Sequence, residues 1–237
     1  TVLNSERAKE ERAFVESMGQ TVVRELLYGN EKIDSAGFTG FMPRLNTLYT
    51  GIKDSNVMSA GTVSGGDGAS VLVVDWGQDG AHLIYPRDGE RVGGEPGLAG
   101  RRVEAFSDPR DIEDDEGRRF LGFITELHWL VGLSIEDQRH VGRLANVDVS
   151  DANLASPTQG NLHDKMIDLL TQMPSADGFQ RVIYVPRVLE AAWLKQLQNR
   201  PNVWLSMKEY HDKQMLHFYG HPVRSVDAMS IAESTVS

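Results

Sequence analysis

The chain has 237 residues, 40% hydrophobic and 24% charged, which is the composition of a folded globular protein and not of a disordered one. Its net charge of −10 argues against a general nucleic-acid-binding surface, and the absence of cysteine removes disulfides, thiolate metal sites and cysteine nucleophiles together. No apolar run approaches the roughly 20 residues needed to span a bilayer and no signal peptide opens the chain, so the expectation is a soluble, unsecreted protein of one large domain or two small ones.

Taken in order, residues 4–28 read as a long amphipathic helix. Phe14, Met18, Val22 and Leu26 recur every four residues, with Val15, Val23 and Leu27 flanking that stripe. Asn4 or Ser5 can cap it, and Gly29-Asn30 offers a left-handed stop. The charged first half, ERAKEER, reads as a solvated face. From Gly37 to Gly117 glycine-rich and acidic loops dominate. Within them Ser70–Trp76 and Ala81–Tyr85 read as two strands joined as a hairpin around Gly77-Gln78-Asp79-Gly80, and 86–118 reads as a flexible excursion.

The stretch Arg119–Asn146 organises the middle of the chain. Leu121, Phe123, Leu127, Trp129, Val131, Leu133 and Ile135 share one parity, while Glu126, His128, Ser134 and Glu136 share the other, the period of a half-buried strand. The alternation holds for about 15 residues, a reach of roughly 50 Å, against an ordinary strand length of about 5–6. The alternative is shorter strands joined at Gly132 or at Glu136-Asp137. Arg139 and Arg143, four apart beyond the alternation, share a face if that portion is helical and would then be placed to meet a neighbour's carboxylates, with a solvated arginine pair as the plainer reading.

After a linker, residues 161–173 form a second predicted helix with Leu162, Met166, Leu169 and Leu170 on one face, stopped at Pro174. Arg181–Val185 reads as a buried strand, Arg187–Gln198 as a third helix, and Trp204–Met229 as a hairpin with one last strand.

Little of this pattern is chemical. Gly65, Gly66 and Gly68 fit neither phosphate-binding fingerprint, and the strand follows them instead of preceding them. The acidic run Asp111–Glu116 lacks the alternating ligands and closing glutamate of an EF-hand. His211, His217 and His221 are close enough to suggest a zinc site on a hairpin, with surface histidines as the plainer reading. No Gly-x-Ser-x-Gly elbow occurs. Trp76, Trp129, Trp193 and Trp204 each sit in apolar patterns that suit core packing, with a contact surface as the other use.

Several stretches, in this order, resemble the major capsid proteins of tailed bacteriophages. They are ERAFVESMGQTVVRELLYGN (11–30), GFTGFMPR (37–44), SVLVVDWG with HLIYP (70–86), ELHWLVGLSIEDQRHVGRLANVD (126–148), RVIYVPRVLEAAWLKQLQ (181–198) and FYGHPVRSVDAMSIAES (218–234). The resemblance implies an α+β fold, the tailed-phage major capsid fold. Its peripheral domain is built on a long spine helix and long β-strands, and its axial domain on a central sheet with helices. On that likeness 1–60 holds the spine helix and the start of the connection between domains, and 61–118 an axial-domain hairpin with glycine-rich loops. Residues 119–150 form a long peripheral strand region, and 151–237 the axial helices and strands with a return to the peripheral domain.

The resemblance further implies a structural protein without catalysis, cofactor or metal, present in many copies as hexamers and pentamers of an icosahedral shell around double-stranded DNA. Contact with that DNA would be weak and non-specific, with room for a scaffold or decoration protein and no membrane partner. The setting would be the virion capsid, assembled in the host cytoplasm. Trp129, Arg139 and Arg143 are the candidates for contact between subunits. Family members carry an N-terminal arm and an extended loop before the spine helix, whereas this sequence opens with Thr1 almost on the helix, so that segment is expected to have been cleaved or to lie upstream. The competing readings are an encapsulin-like shell around protein cargo and, from another class, a metal-dependent hydrolase or carbohydrate-binding module centred on His211–His221.

Two structural expectations follow. The odd-numbered face of Arg119–Ile135 should pack on the Phe14, Met18, Val22, Leu26 stripe, making Trp129→Ala cost about 3–5 kcal/mol as a core truncation. The break at Glu136-Asp137 should matter more than Gly132.

Overall fold

The computed structural model describes residues 2–48, 56–61, 63, 68–85, 101–105, 110–113, 115–149, 162–199, 205–210 and 213–237. It divides into two compact units, one of Thr1–Val22 with Leu83–Gly132 and one of Val23–His82 with Leu133–Ser237.

The first unit is a helix and a ribbon. Helix α1 (Val2–Tyr28) begins here and runs on into the second unit. The ribbon is formed by β4 (Arg101–Ala105) antiparallel to β7 (Thr125–Trp129), continued by β5 (Arg110–Glu113) antiparallel to β6 (Arg119–Gly122). Register runs from Arg101↔Trp129 through Ala105↔Thr125 to Arg110↔Gly122 and Glu113↔Arg119, with Gly117 at φ 78° in the closing turn. The 86–118 excursion therefore carries strands, at 101–105 and 110–113; its residues 86–100 lie outside the described residues. Thr125 donates its hydroxyl to Glu11 Oε1 at 3.2 Å, tying ribbon to helix.

The single long strand is corrected to three. Breaks at 123–124 and 130–131 separate β6, β7 and β8 (Gly132–Ile135), and the boundary between units falls directly after Gly132, so that break outranks the one at Glu136-Asp137. The expected burial of the odd face is only partly realised. In β7 Thr125, Leu127 and Trp129 are half-buried while Glu126 and His128 are exposed, but in β6 Phe120 and Leu121 are both exposed, at 52% and 75%. The helix stripe is likewise covered only in part: Phe14 is 64% exposed, while Met18, Val22 and Leu26 are half-buried. An apolar stripe needs a facing element to bury it, and a two-stranded ribbon has two faces for one helix.

The second unit holds a mixed sheet ordered β1-β9-β2-β10-β13-β12-β11, with β3 and β8 paired at its margin. The strands are β1 (Val57–Ser59), β2 (Gly68–Trp76), β3 (Ala81–Ile84), β9 (Val141–Asp148), β10 (Gln180–Val185), β11 (Leu205–Tyr210), β12 (Lys213–Phe218) and β13 (His221–Ser225). The expected β2–β3 hairpin is absent. Both edges of β2 are taken by β9 and β10, so β3 meets it in parallel sense at Trp76↔Ala81 alone and pairs with β8.

Parity along β2 builds the core on both faces. Ala69, Val71 and Val73 face helices α3 (Leu162–Gln172) and α4 (Arg187–Asn199), through Met166, Leu169, Leu189 and the fully buried Trp193. Leu72 and Val74 face the other layer, made by Leu27 at the end of α1, Phe41 and Met42 of α2 (Phe41–Arg44), and Met229 and Val236 of the C-terminal segment. A strand buried on both faces has no polar side, which is why SVLVV reads as a continuous apolar run. The end of α1 needs no left-handed residue. Neither Gly29 nor Asn30 has positive φ, and Gly29 serves close approach instead, since a Cβ there would lie 2.4 Å from the Phe38 carbonyl oxygen.

Candidate functional site

Arg139, Arg143 and Trp129 fall in three different settings. Asp137 caps a single 3-10 turn (Gln138–His140) by accepting from the Arg139 backbone N–H at 2.9 Å, and the chain then enters β9, so Arg139 and Arg143 share no helical face. Arg139 is exposed and its guanidinium binds Asp137 at 2.7 Å; those hydrogen bonds hold the Asp137 carboxyl below its usual range and raise the guanidinium. Trp129 ends β7, half-buried and not a core residue.

Arg143 is only 4% exposed and turned inward. Its Nε donates to Ser70 Oγ at 2.9 Å, Nη1 to the Leu45 carbonyl at 2.8 Å and Nη2 to Glu233 Oε2 at 2.9 Å. Glu233 also accepts from the Ser70 hydroxyl and, at 2.6 Å, from the Tyr28 hydroxyl. Burial, then the bond to Glu233, push the Tyr28 hydroxyl far above its ordinary range. The cluster joins α1, β2, β9 and the C-terminal segment. A β-bulge between Ala69 and Val71 accompanies it, with Asn146 at φ 58° and its side-chain amide bridging to both the N–H and the carbonyl of Val236 at 2.9 Å. Asparagine is among the few residues that tolerate that conformation, and bulges re-aim side chains in this way.

A second buried cluster lies further along the sheet. Asp75, fully buried in β2, accepts from Arg181 Nε at 2.6 Å and Nη2 at 2.7 Å, and its Oδ2 lies 2.8 Å from His140 Nδ1. The His140 ring packs 4.1 Å from Phe179. A buried carboxylate is tolerable only when paired and hydrogen-bonded, and this one is met on both oxygens. Neither cluster was identified from the sequence. Asp75, Arg143 and Arg181 carried the signal, as charges inside or at the start of aliphatic strands that must find partners when both faces are covered.

Of the candidate metal histidines, His211 lies outside the described residues. His217 Nδ1 sits 3.1 Å from the Met215 carbonyl oxygen, and burial, with Arg181 nearby, lowers the His221 imidazole. Among the described residues no group of three or more His, Cys, Asp or Glu side chains could hold a metal ion. Of the acidic run, Asp111 and Glu113 stand on β5, opposite Leu121 and Arg119. Gly65, Gly66 and Trp204 lie outside the described residues. Trp193 is core, and Trp76 Nε1 donates to the Tyr184 hydroxyl at 2.8 Å.

Among the described residues two features remain open to a partner. One is the β5–β6 part of the ribbon, with Phe120 and Leu121 exposed. The other is a cavity of about 460 Å³ in the second unit, floored by the Arg143–Glu233 pair and Tyr28 and rimmed by Arg24 and Ser234.

Against this geometry stand the likenesses. The family model described as major capsid protein GP7 matches residues 3–237. A chain from a validated near-atomic cryo-EM structure of bacteriophage epsilon15 is similar at 27% identity and TM-score 0.59, over 97% of this chain and 66% of that one. The present chain thus spans just under two thirds of the length of its structural relative. No curated protein matches it.

Proposed function

The chain belongs to the major capsid protein GP7 family, and from that premise we propose that it is the coat subunit of a tailed bacteriophage, assembling in many copies into an icosahedral shell around double-stranded DNA. The observation that carries the reading is the family match over residues 3–237 together with the shared fold of the epsilon15 chain.

The division into two units suits the work. The helix-and-ribbon unit is read as the peripheral domain and the sheet unit as the axial domain. A closed shell needs repeated contacts whose rotations close, and apolar side chains that a single subunit leaves exposed supply area for such contacts. Exposed apolar side chains at Phe14, Phe120 and Leu121 support such contacts, because a single subunit leaves them in water. Trp129 and Arg139 are proposed as contact residues between copies; Arg143 acts within the subunit by holding the C-terminal segment. Hexamers and pentamers, a scaffold or decoration protein, location in the virion capsid and assembly in the host cytoplasm belong to the same proposal. With a net charge of −10 the subunit would hold DNA only weakly, through local arginines.

The test is assembly. The protein, produced with any upstream segment its gene encodes, should form closed particles visible by electron microscopy and of high mass by light scattering. Persistent monomers would count against the coat reading, and particles that package protein in place of DNA would move it to an encapsulin-like compartment.

A further inference from the structure

We propose that the cavity under the C-terminal segment receives an acidic side chain from a second copy of this chain, with Arg24 as its cation. The inference rests on the coat reading and adds a specific contact to it.

The floor of the cavity cannot bind a charged ligand, because its polar groups are already satisfied. Arg143 is committed to Ser70, Leu45 and Glu233, and the Tyr28 hydroxyl donates to Glu233 while accepting from the Ser230 N–H at 2.8 Å. The rim differs. Arg24 is exposed and its guanidinium has no hydrogen-bond or ion-pair partner among the described residues, and it stands on a wall whose apolar parts are Met42, Ala228 and Ala232. A free guanidinium beside a short apolar wall, over a floor whose one positive and one negative charge cancel, suits a carboxylate on a short aliphatic stem. The guanidinium fork takes the two oxygens and the stem lies on the alanines and methionine. A volume of about 460 Å³ admits a few side chains, not a domain.

Charge selects the second copy as the occupant. With 34 acidic against 24 basic residues, copies of this chain repel on approach. A free arginine at a shaped cavity turns one approach from repulsive to attractive and so fixes the geometry of contact, which is how charged groups confer specificity.

The test uses the absence of ambiguity at position 24. Arg24→Lys particles, assembled from a mixture of isotopically heavy and light subunits, are treated with a carbodiimide that joins amines to carboxylates without a spacer. The expected product is a heavy–light cross-link from position 24 to one aspartate or glutamate, absent from dissociated subunits. Arg24→Glu should lower particle yield by about tenfold or more, the equivalent of one lost ion pair, with an unchanged melting temperature. Reversing the charge of the identified acid should restore it. Arg24→Glu particles forming as well as wild type, or cross-links confined to one copy, would overturn the proposal and leave the coat reading standing. Wild-type protein that never assembles would sink both.

Discussion

Asp75 is fully buried, and its two oxygens hold Arg181 and His140. Removing the carboxylate leaves a guanidinium in the core with one remaining acceptor described for it, the Pro174 carbonyl at 2.7 Å. Asp75→Ala should therefore destabilise the subunit by about 3–5 kcal/mol in urea unfolding, the cost of breaking a buried pair by halves. Arg187→Ala is the contrast. Its partner Asp227 is 2.7 Å away but both side chains are exposed, and the change should stay within about 1 kcal/mol. His163 gives a pH dependence. Its ring is tilted against Trp193 at 6.0 Å and stacks with Phe218 at 5.8 Å, its Nε2 has no hydrogen-bond partner among the described residues, and burial lowers its pKa below 6.5. Between the folded value and 6.5 the unfolded chain binds more protons than the folded one. Stability from this group is therefore complete above pH 6.5 and declines as pH falls through that window. Phe at this position keeps the stack and needs no proton, so His163→Phe should flatten the acid limb of melting temperature against pH. An equally steep acid limb in the variant would assign the loss to other groups.

Glycines separate local preference from packing at the level of elements. Gly19 lies inside α1 with nothing among the described residues within 4 Å of an added Cβ, so Gly19→Ala should stabilise by roughly 0.5–1 kcal/mol through backbone entropy and helix propensity. Gly40 precedes α2 and donates its N–H to the Gly29 carbonyl at 2.9 Å; a Cβ there would fall 2.6 Å from the Glu25 carbonyl oxygen and 2.7 Å from that of Leu26. Those obstacles are backbone and cannot swing aside, so Gly40→Ala should cost about 1–3 kcal/mol or more by thermal melting. The same division explains what could be read beforehand. Helices 4–28, 161–173 and 187–198 were legible because apolar spacing reports a buried face directly, and α1, α3 and α4 fall there. The breaks of the long alternation were not, because parity continues across 123–124 and 130–131 whichever strand the ribbon pairs with. The strands at 101–105 and 110–113 were hidden because RRVEA and RDIE each hold one large apolar residue among arginines and acids, too few to show a period of two. Glu233 gave no local sign of being the acceptor for Arg143, 90 residues away.

For the whole molecule the question is which surface a single copy leaves unfinished. The β5–β6 pair answers it most directly. Leu121 is 75% exposed and pairs in register with Asp111 across the ribbon, while Arg119, two residues earlier, pairs with Glu113 at 3.3 Å. A lysine at position 121 would stand opposite a carboxylate, a favourable cross-strand pair, and would extend the existing order of charges. The isolated subunit should therefore tolerate Leu121→Lys, with a melting temperature within about 2 °C of wild type. Assembly should not. A leucine covered by a neighbouring copy contributes through the apolar area it loses to that neighbour, and an ammonium in its place must be desolvated without a designed partner. The expected outcome is a stable, folded subunit whose particle yield, counted in electron micrographs, falls sharply. Normal particles from Leu121→Lys would place this face of the ribbon in solvent and shift the contact to Phe120 on the other face; a lowered melting temperature would show that Leu121 supports the subunit itself.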